Sequence, residues 1–329
     1  MRLRLLDLDG SLTVQPPFQE RLEAGMAQRV DLRERGERLR LWAGRKDMRR
    51  LRQEIARLPP PPGAGAIVTF VGSGDYHHLS LALLGAALDQ DRGQDRAQDR
   101  AARGDREAAG PPVTLVHFDN HPDWVRWPPA YHCGSWVNRA LEMKEVHCVV
   151  TIGPCARDLA RPQWRGGNLA ALAAGRIVLY PWHHAPSRVF GRIGSGEGHE
   201  RRGKWQLWRN VGAEAWEGFL AGLLASLPRS DRLWLTIDKD VLRPEEAATN
   251  WDQGEMPLAA LLAALQRLCG SGRVFGADVC GDYAQARLRQ PLKRLSAWLD
   301  RPRAAAAPDL ERNSRTNAAL IDAFAQALP

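Results

Sequence analysis

VTLVHFDNHPD, residues 113–123, is the stretch whose reading decides the fold. Val113, Leu115 and Val116 open an apolar, β-branched-rich run that predicts a strand buried on both faces. The run empties at once into Asp119, His121 and Asp123. Side chains at i, i+2 and i+4 of an extended chain point to one side, so two carboxylates and an imidazole converge beyond the strand's C-terminal end. Such oxygen and nitrogen donors are what a hard or borderline divalent cation takes as ligands. LWLTIDKD, residues 233–240, repeats the pattern, a strand ending in Asp238 and Asp240. The two strand ends could hold two ions that share carboxylates.

Working outward, other strands are expected at 2–9, 67–71, 146–152, 176–180 and 273–279, with helical segments between them. Strands alternating with helices predict an α/β fold with a parallel sheet covered on both faces. The 329 residues are read as one domain, 1–329, with a mobile low-complexity insertion at about 89–110, where the element QDR repeats without an apolar face. Gln19–Leu58 has helical period, with Leu22, Met26 and Val30 and later Leu51, Ile55 and Leu58 on apolar stripes, and is expected to be helical throughout. Its basic cluster around Arg45–Arg52 is read as a solvated face.

Composition narrows the function. Hydrophobic residues make up 44% of the chain, which excludes a disordered protein, and net charge is +8. The surplus is Arg interleaved with acids, so no nucleic-acid surface is expected. Leu81–Leu88, the longest apolar run, is too short to span a bilayer, and no membrane partner is expected. The five cysteines form no CxxC pair and are odd in number, which suits free thiols in a reducing cytoplasm.

Further candidates flank the central motif. Asp75, Tyr76, His77 and His78 follow a strand and a Gly turn, where parallel sheets place ligands, so one of the two histidines is a candidate metal ligand. His132, in YHCGSW, is a candidate acid/base. Trp124 and Trp127 could wall a substrate pocket. Near the N-terminus, LLDLDGSLT imitates the opening of haloacid-dehalogenase-type phosphatases, with Asp7 as nucleophile and Asp9 as acid/base. The simpler reading is a strand followed by a turn at Gly10.

GSGDYHH (72–78), DNHPD (119–123) and DKD (238–240), in that order on strand ends, resemble the signatures of the ureohydrolase superfamily, which includes arginase, agmatinase and formiminoglutamase. The resemblance covers roughly residues 66–285. It implies a three-layer α/β/α sandwich around a mostly parallel sheet and two Mn²⁺ ions. Asp119 and Asp238 would bridge them, one ion adding His77 or His78 and Asp123, the other His121 and Asp240. It implies hydrolysis of a guanidino C–N bond with release of urea. Asp123 would orient the attacking hydroxide and His132 would pass a proton to the leaving amine. At the last strand, GADVCGDY has Gly281 where arginase-like enzymes carry a guanidinium-binding Glu, and Asp282 is the expected substitute. The substrate would be a small guanidino compound or an arginine within a peptide, giving ornithine; a homo-oligomer stays open. The alternatives are a metal-dependent amide hydrolase or deacetylase, the phosphatase, and a binding module without turnover.

Overall fold

The computed structural model describes residues 1–102, 110–191, 193–286, 288–300 and 309–328, without the side chains of 93–102 and 299–300. Its strands are β1 (Arg2–Asp7), β2 (Ala27–Asp31), β3 (Ile67–Gly72), β4 (Val113–Phe118), β5 (Val146–Ile152), β6 (Ile177–Tyr180), β7 (Ser187–Arg188), β8 (His199–Arg202), β9 (Trp205–Trp208), β10 (Arg232–Asp238) and β11 (Val274–Cys280). Helices are α1 (Pro16–Glu23), α2 (Arg33–Leu39), α3 (Arg45–Arg57), α4 (Ser80–Ala102), α5 (Trp136–Ala140), α6 (Leu169–Ala173), α7 (Trp216–Ser226), α8 (Leu258–Cys269), α9 (Pro291–Asp300) and α10 (Leu310–Ala327). Eight strands form one sheet in the order β2-β1-β3-β11-β10-β4-β5-β6, and every neighbouring pair is parallel. Strands β7, β9 and β8 form a small antiparallel sheet.

Each central strand is apolar on both faces, as a sheet covered by helices on both sides requires. On β4, Val116 and Phe118 join the cluster that includes Phe18 of α1, Phe219 of α7, Leu265 of α8 and Phe324 of α10. Val113 and Leu115 point the other way, toward Leu51 of α3, Leu84 of α4 and Trp136 of α5. All are buried, and each such side chain contributes about 1.5–3 kcal/mol relative to remaining in water. The expected α/β/α sandwich is present.

One expectation is corrected. The segment 19–58 is not helical throughout: Ala27–Asp31 pairs with β1 as a parallel edge strand. Leu22, Met26 and Val30 mimic helical spacing, but Met26 is 62% exposed, and Leu22 and Val30 pack against two different core clusters rather than along one helix face. The low-complexity segment begins as the continuation of α4, which runs to Ala102. There Asp89 pairs with Arg52 of α3, and Arg92 with Glu145. Residues 103–109, the rest of the expected mobile insertion, lie outside the described residues, as do 301–308.

The strand order positions the site. The chain builds outward from β1 on one side and from β4 to β6 on the other, then returns to insert β10 and β11 between β3 and β4. Crevices at the carboxyl ends of such central strands are where open parallel sheets bind ligands. All three motifs end there.

Candidate metal centre

His77 lies in the 3₁₀ turn that follows β3, entirely buried. Its Nδ1 is 3.0 Å from Asp119 Oδ2, 3.2 Å from Asp123 Oδ2 and 3.7 Å from Asp238 Oδ2. Despite that crowding, Nδ1 makes no well-directed hydrogen bond. The other ring nitrogen, Nε2, is 2.9 Å from Thr236 Oγ1, and Thr236 donates its hydroxyl to Asp278 at 2.8 Å. With that proton committed, Thr236 accepts from Nε2–H, and Nδ1 faces three carboxylates. Burial opposes the charged imidazole, but the thiol and acids around it hold His77 well above its usual range, so this point calls for a cation, and a metal ion bound there would take the place of the proton. Asp278 is itself held by Ser80 Oγ at 2.6 Å and Trp234 Nε1 at 2.6 Å.

A second group adjoins the first through Asp119. His121 Nδ1 is 3.0 Å from Asp240 Oδ2 and 3.4 Å from Asp119 Oδ1. The backbone N–H of Asn120 donates to Asp240, and that of Asp240 donates to Asp238, each at 3.0 Å. These bonds fix the strand-end loops so that the carboxylates meet. The donor atoms of His77, His117, Asp119 and Asp123 lie within 4.8 Å of one another, as do those of Asp119, His121 and Asp240. A third group, His77, Asp238 and Cys280, shares His77 with the first; we refer to these two joined groups as site A and to Asp119, His121 and Asp240 as site B. The room comes from Gly74, where a Cβ would sit 2.4 Å from Asp238 Oδ2.

The electrostatics agree with the geometry. Burial and the charge of Asp119 push the Asp123 carboxyl up to about 6. Burial, then Asp119 and Asp238, push that of Asp240 well above the carboxylate range. Burial would also raise Asp119, but His117, His121 and His77 hold it well below its usual value. Four carboxylates within one buried cluster repel one another and are stable together only around positive charge. Two divalent cations would supply that charge, and the donor set fits them.

No family model matches the sequence. An uncharacterized protein of Thermotoga maritima is 23% identical over 215 residues, covering 65% of this chain and 58% of that one; the match thus spans less than two thirds of that relative's length. Among solved structures, the arginase from Bacillus caldovelox aligns over 98% of both chains at 14% identity, with a TM-score of 0.55. The proclavaminate amidino hydrolase of Streptomyces clavuligerus aligns over 99% of this chain and 92% of its own at 13% identity, TM-score 0.56. The agmatine ureohydrolase of Thermoplasma volcanium aligns over 98% and 87% at 11% identity, TM-score 0.51. The chain has the arginase fold.

Within that arginase fold, the motif residues fall into place unequally. His77, Asp119, His121, Asp123, Asp238 and Asp240 converge. His78 does not join them: it is fully buried beside the cluster, and burial, His132 and Lys293 hold its imidazole neutral, well below the usual range. His132 and Asp123 both border Gly134. A Cβ on Gly134 would be 3.5 Å from His132 Nδ1 and 4.0 Å from Asp123 Oδ1.

The substrate-facing expectations are corrected. Asp282 is 1% exposed and accepts from Lys239 Nζ at 2.8 Å, Gln15 Nε2 at 3.0 Å and Asn317 Nδ2 at 3.1 Å, so its charge is spent in the core. Gly281 has φ of +95°, and a Cβ there would lie 2.4 Å from both Asp238 Oδ1 and the Lys239 nitrogen. No acid fits at that position. Trp124 is a core residue, 1% exposed. Trp127 is 56% exposed and lines a cleft of about 450 Å³ with Arg126, Ser135 and Asn138, whose walls include none of the candidate ligands. The phosphatase reading also falls. Asp7 is clamped by Arg29 at 2.6 Å and Arg33 at 2.8 Å, and Asp9 turns back to cap Ser11.

Three residues at the site escaped the sequence reading. His117, inside β4, places Nε2 2.9 Å from Asp119 Oδ2; the alternation that sets Asp119, His121 and Asp123 apart by twos includes 117 as well, a signal that was available. Asp252 holds His121 Nε2 at 3.0 Å from a polar loop. Cys280 ends β11 with Sγ 3.3 Å from Asp238 Oδ2. The last two carry no motif spacing.

Proposed function

We propose that this chain is a metal-dependent C–N hydrolase that releases urea from a guanidino substrate. The observation that carries the reading is the pair of contiguous ligand groups sharing Asp119 at the carboxyl ends of β4 and β10. His77, Asp119, Asp123 and Asp238 would hold one divalent cation, and Asp119, His121, Asp238 and Asp240 the other, Mn²⁺ being the ion the motif resemblance implies. Such a pair supplies water ionised near neutral pH and positive charge for the developing transition state.

The chain's own residues do the positioning. Asp123 has a left-handed backbone, φ +48°, and its Oδ2 accepts from Trp136 Nε1 at 2.7 Å. That bond aims the carboxylate into the cluster. His132 Nδ1 accepts the backbone N–H of Gly134 at 2.9 Å. A neutral His132 therefore carries its proton on Nε2, where it can be given to a departing amine. Trp251 and Asp252 stand over His121 at the mouth, with Asp252 52% exposed. Burial opposes, but the bond from His121 holds Asp252 ionised, below the ordinary carboxylate range. We take Asp252 as the negative charge that meets an incoming cationic substrate.

The lack of room for any side chain at 281 removes the acid that would grip a guanidinium from that side. This favours arginine carried within a peptide, or another guanidino compound held by its remaining parts, over free arginine. No helix among the described residues is long and apolar enough to cross a membrane. All five cysteines are free thiols, which suits a reducing compartment such as the cytoplasm. The test is to incubate Mn²⁺-loaded protein with arginine, agmatine and an arginine-containing peptide while assaying urea, ammonia and acetate. Urea from at least one guanidino compound supports the reading. Acetate from acetylated amines, with no urea, would replace it with a deacetylase of the same fold.

A further inference from the structure

Cys280 takes no part in the chemistry above, yet it stands where site A is built. It is the last residue of β11, 1% exposed, and its Cα pairs across the sheet with that of Asp238. Between Val279 and Cys280 the pairing of β11 with β3 slips register. Such an irregularity re-aims a side chain, and these are common beside active sites. Here the thiol is turned toward the cluster: Sγ is 3.3 Å from Asp238 Oδ2, and the donor atoms of His77, Asp238 and Cys280 all lie within 4.8 Å of one another. The second observation is the His77 Nδ1 atom, buried, without a hydrogen bond and aimed at the same point. His117 brings another imidazole nitrogen to the Asp119 side of site A.

The two sites thus differ in softness. Site A offers sulfur and up to two imidazoles besides its carboxylates; site B offers one imidazole and carboxylates alone. Thiolate and imidazole favour Zn²⁺ and similar borderline ions, whereas carboxylate-rich sites suit Mn²⁺ and Mg²⁺. We propose that Cys280 is a ligand at site A and makes that site select a borderline divalent cation such as Zn²⁺, while site B takes Mn²⁺. On binding, the S–H bond breaks, a sulfur–metal bond forms and one proton leaves to solvent. The inference rests on the binuclear reading and sharpens it.

Cobalt(II) separates the possibilities, because its visible d–d bands report binding to any donors and its near-ultraviolet charge-transfer band requires sulfur. Metal-stripped protein titrated with Co²⁺ should show both at the first equivalent. Cys280→Ser should keep the d–d bands, and an unchanged circular dichroism spectrum, with complete loss of the charge-transfer band. Wild-type d–d bands without a charge-transfer band, or a band that persists in Cys280→Ser, would overturn thiol ligation and leave two metals standing. No bound cobalt at all would take the binuclear reading down with it. X-ray absorption of wild-type protein carrying one Zn²⁺ per chain needs no variant: a sulfur scatterer at about 2.3 Å is expected, and a shell of nitrogen and oxygen alone contradicts the proposal. Offered equimolar Zn²⁺ and Mn²⁺, the stripped protein should retain one of each; two Mn²⁺ would contradict the selectivity.

Discussion

Asp119 joins the two halves of the site: His77 and His117 approach its Oδ2 at 3.0 and 2.9 Å, and the backbone N–H of His121 donates to its Oδ1 at 2.6 Å. Around it, the residues that matter are those that aim the ligands. Thr236→Val breaks the link between His77 Nε2 and Asp278 while keeping side-chain volume. Metal affinity is expected to fall about 10–100-fold, the usual scale for losing an outer hydrogen bond to a ligand, with little change in fold; calorimetric titration with the metal checks it. Gly281→Glu, which would restore the missing arginase-like acid in name, should instead destabilise the protein by roughly 2 kcal/mol or more, since it meets both a positive φ and a backbone clash. Urea denaturation would show this, and unchanged stability would mean that the backbone at 281 is freer than described. At this scale, spacing by twos made Asp119, His121, Asp123, Asp238 and Asp240 legible. The choice between His77 and His78 was not, because neighbouring residues on a 3₁₀ turn point apart and only the tertiary position of Asp238 decides between them. Asp282 misled for the related reason that its charge is matched by Lys239 and Asn317, 43 and 35 residues away.

Helix α10 reaches the site's underside through one buried pair. Lys239, between the two ligands Asp238 and Asp240, is fully buried and donates to Asp282 of the β11 turn and Asn317 of α10 at 2.8 Å each. Lys239→Met leaves Asp282 charged and buried, and is expected to cost about 3–5 kcal/mol, read as a lowered denaturation midpoint. The double variant Lys239→Met/Asp282→Leu should recover much of that loss, because it removes the stranded charge. The element reading from sequence was strongest where strands are central and apolar on both faces, as in β4 and β10. It failed at β2, whose partly exposed AQRVD gains its identity from pairing with β1, a long-range contact that local period does not report. At α4 the helix continues past its apolar stretch, where Asp89 pairs with Arg52 and Arg92 with Glu145.

For the whole molecule, the buried acids couple stability to pH and to metal. The Asp123 carboxyl stands at about 6 in the metal-free fold against an ordinary value of 3.8, so the folded state holds the proton more tightly than the unfolded chain. Its contribution is fully present below about pH 4 and is lost as pH rises through about 6. Chelator-treated protein should therefore show this component of stability falling across that window, and the rise in Tm on adding metal should be larger at pH 7 than at pH 5. Thermal melts at the two values check both signs; an equal rise at each pH would contradict the coupling. The sheet order that brings residues 77, 121 and 240 together is a property of the full chain, and the motifs pointed to it only because they fall in arginase-like order on the ends of strands far apart in the chain.

The most direct test of the central claim is the metal content of dialysed protein, measured by elemental analysis for the wild type and for Asp119→Asn. The account predicts two divalent ions per wild-type chain and one or fewer in the variant, with both proteins folded. Wild-type protein that releases urea while holding no divalent metal would contradict it.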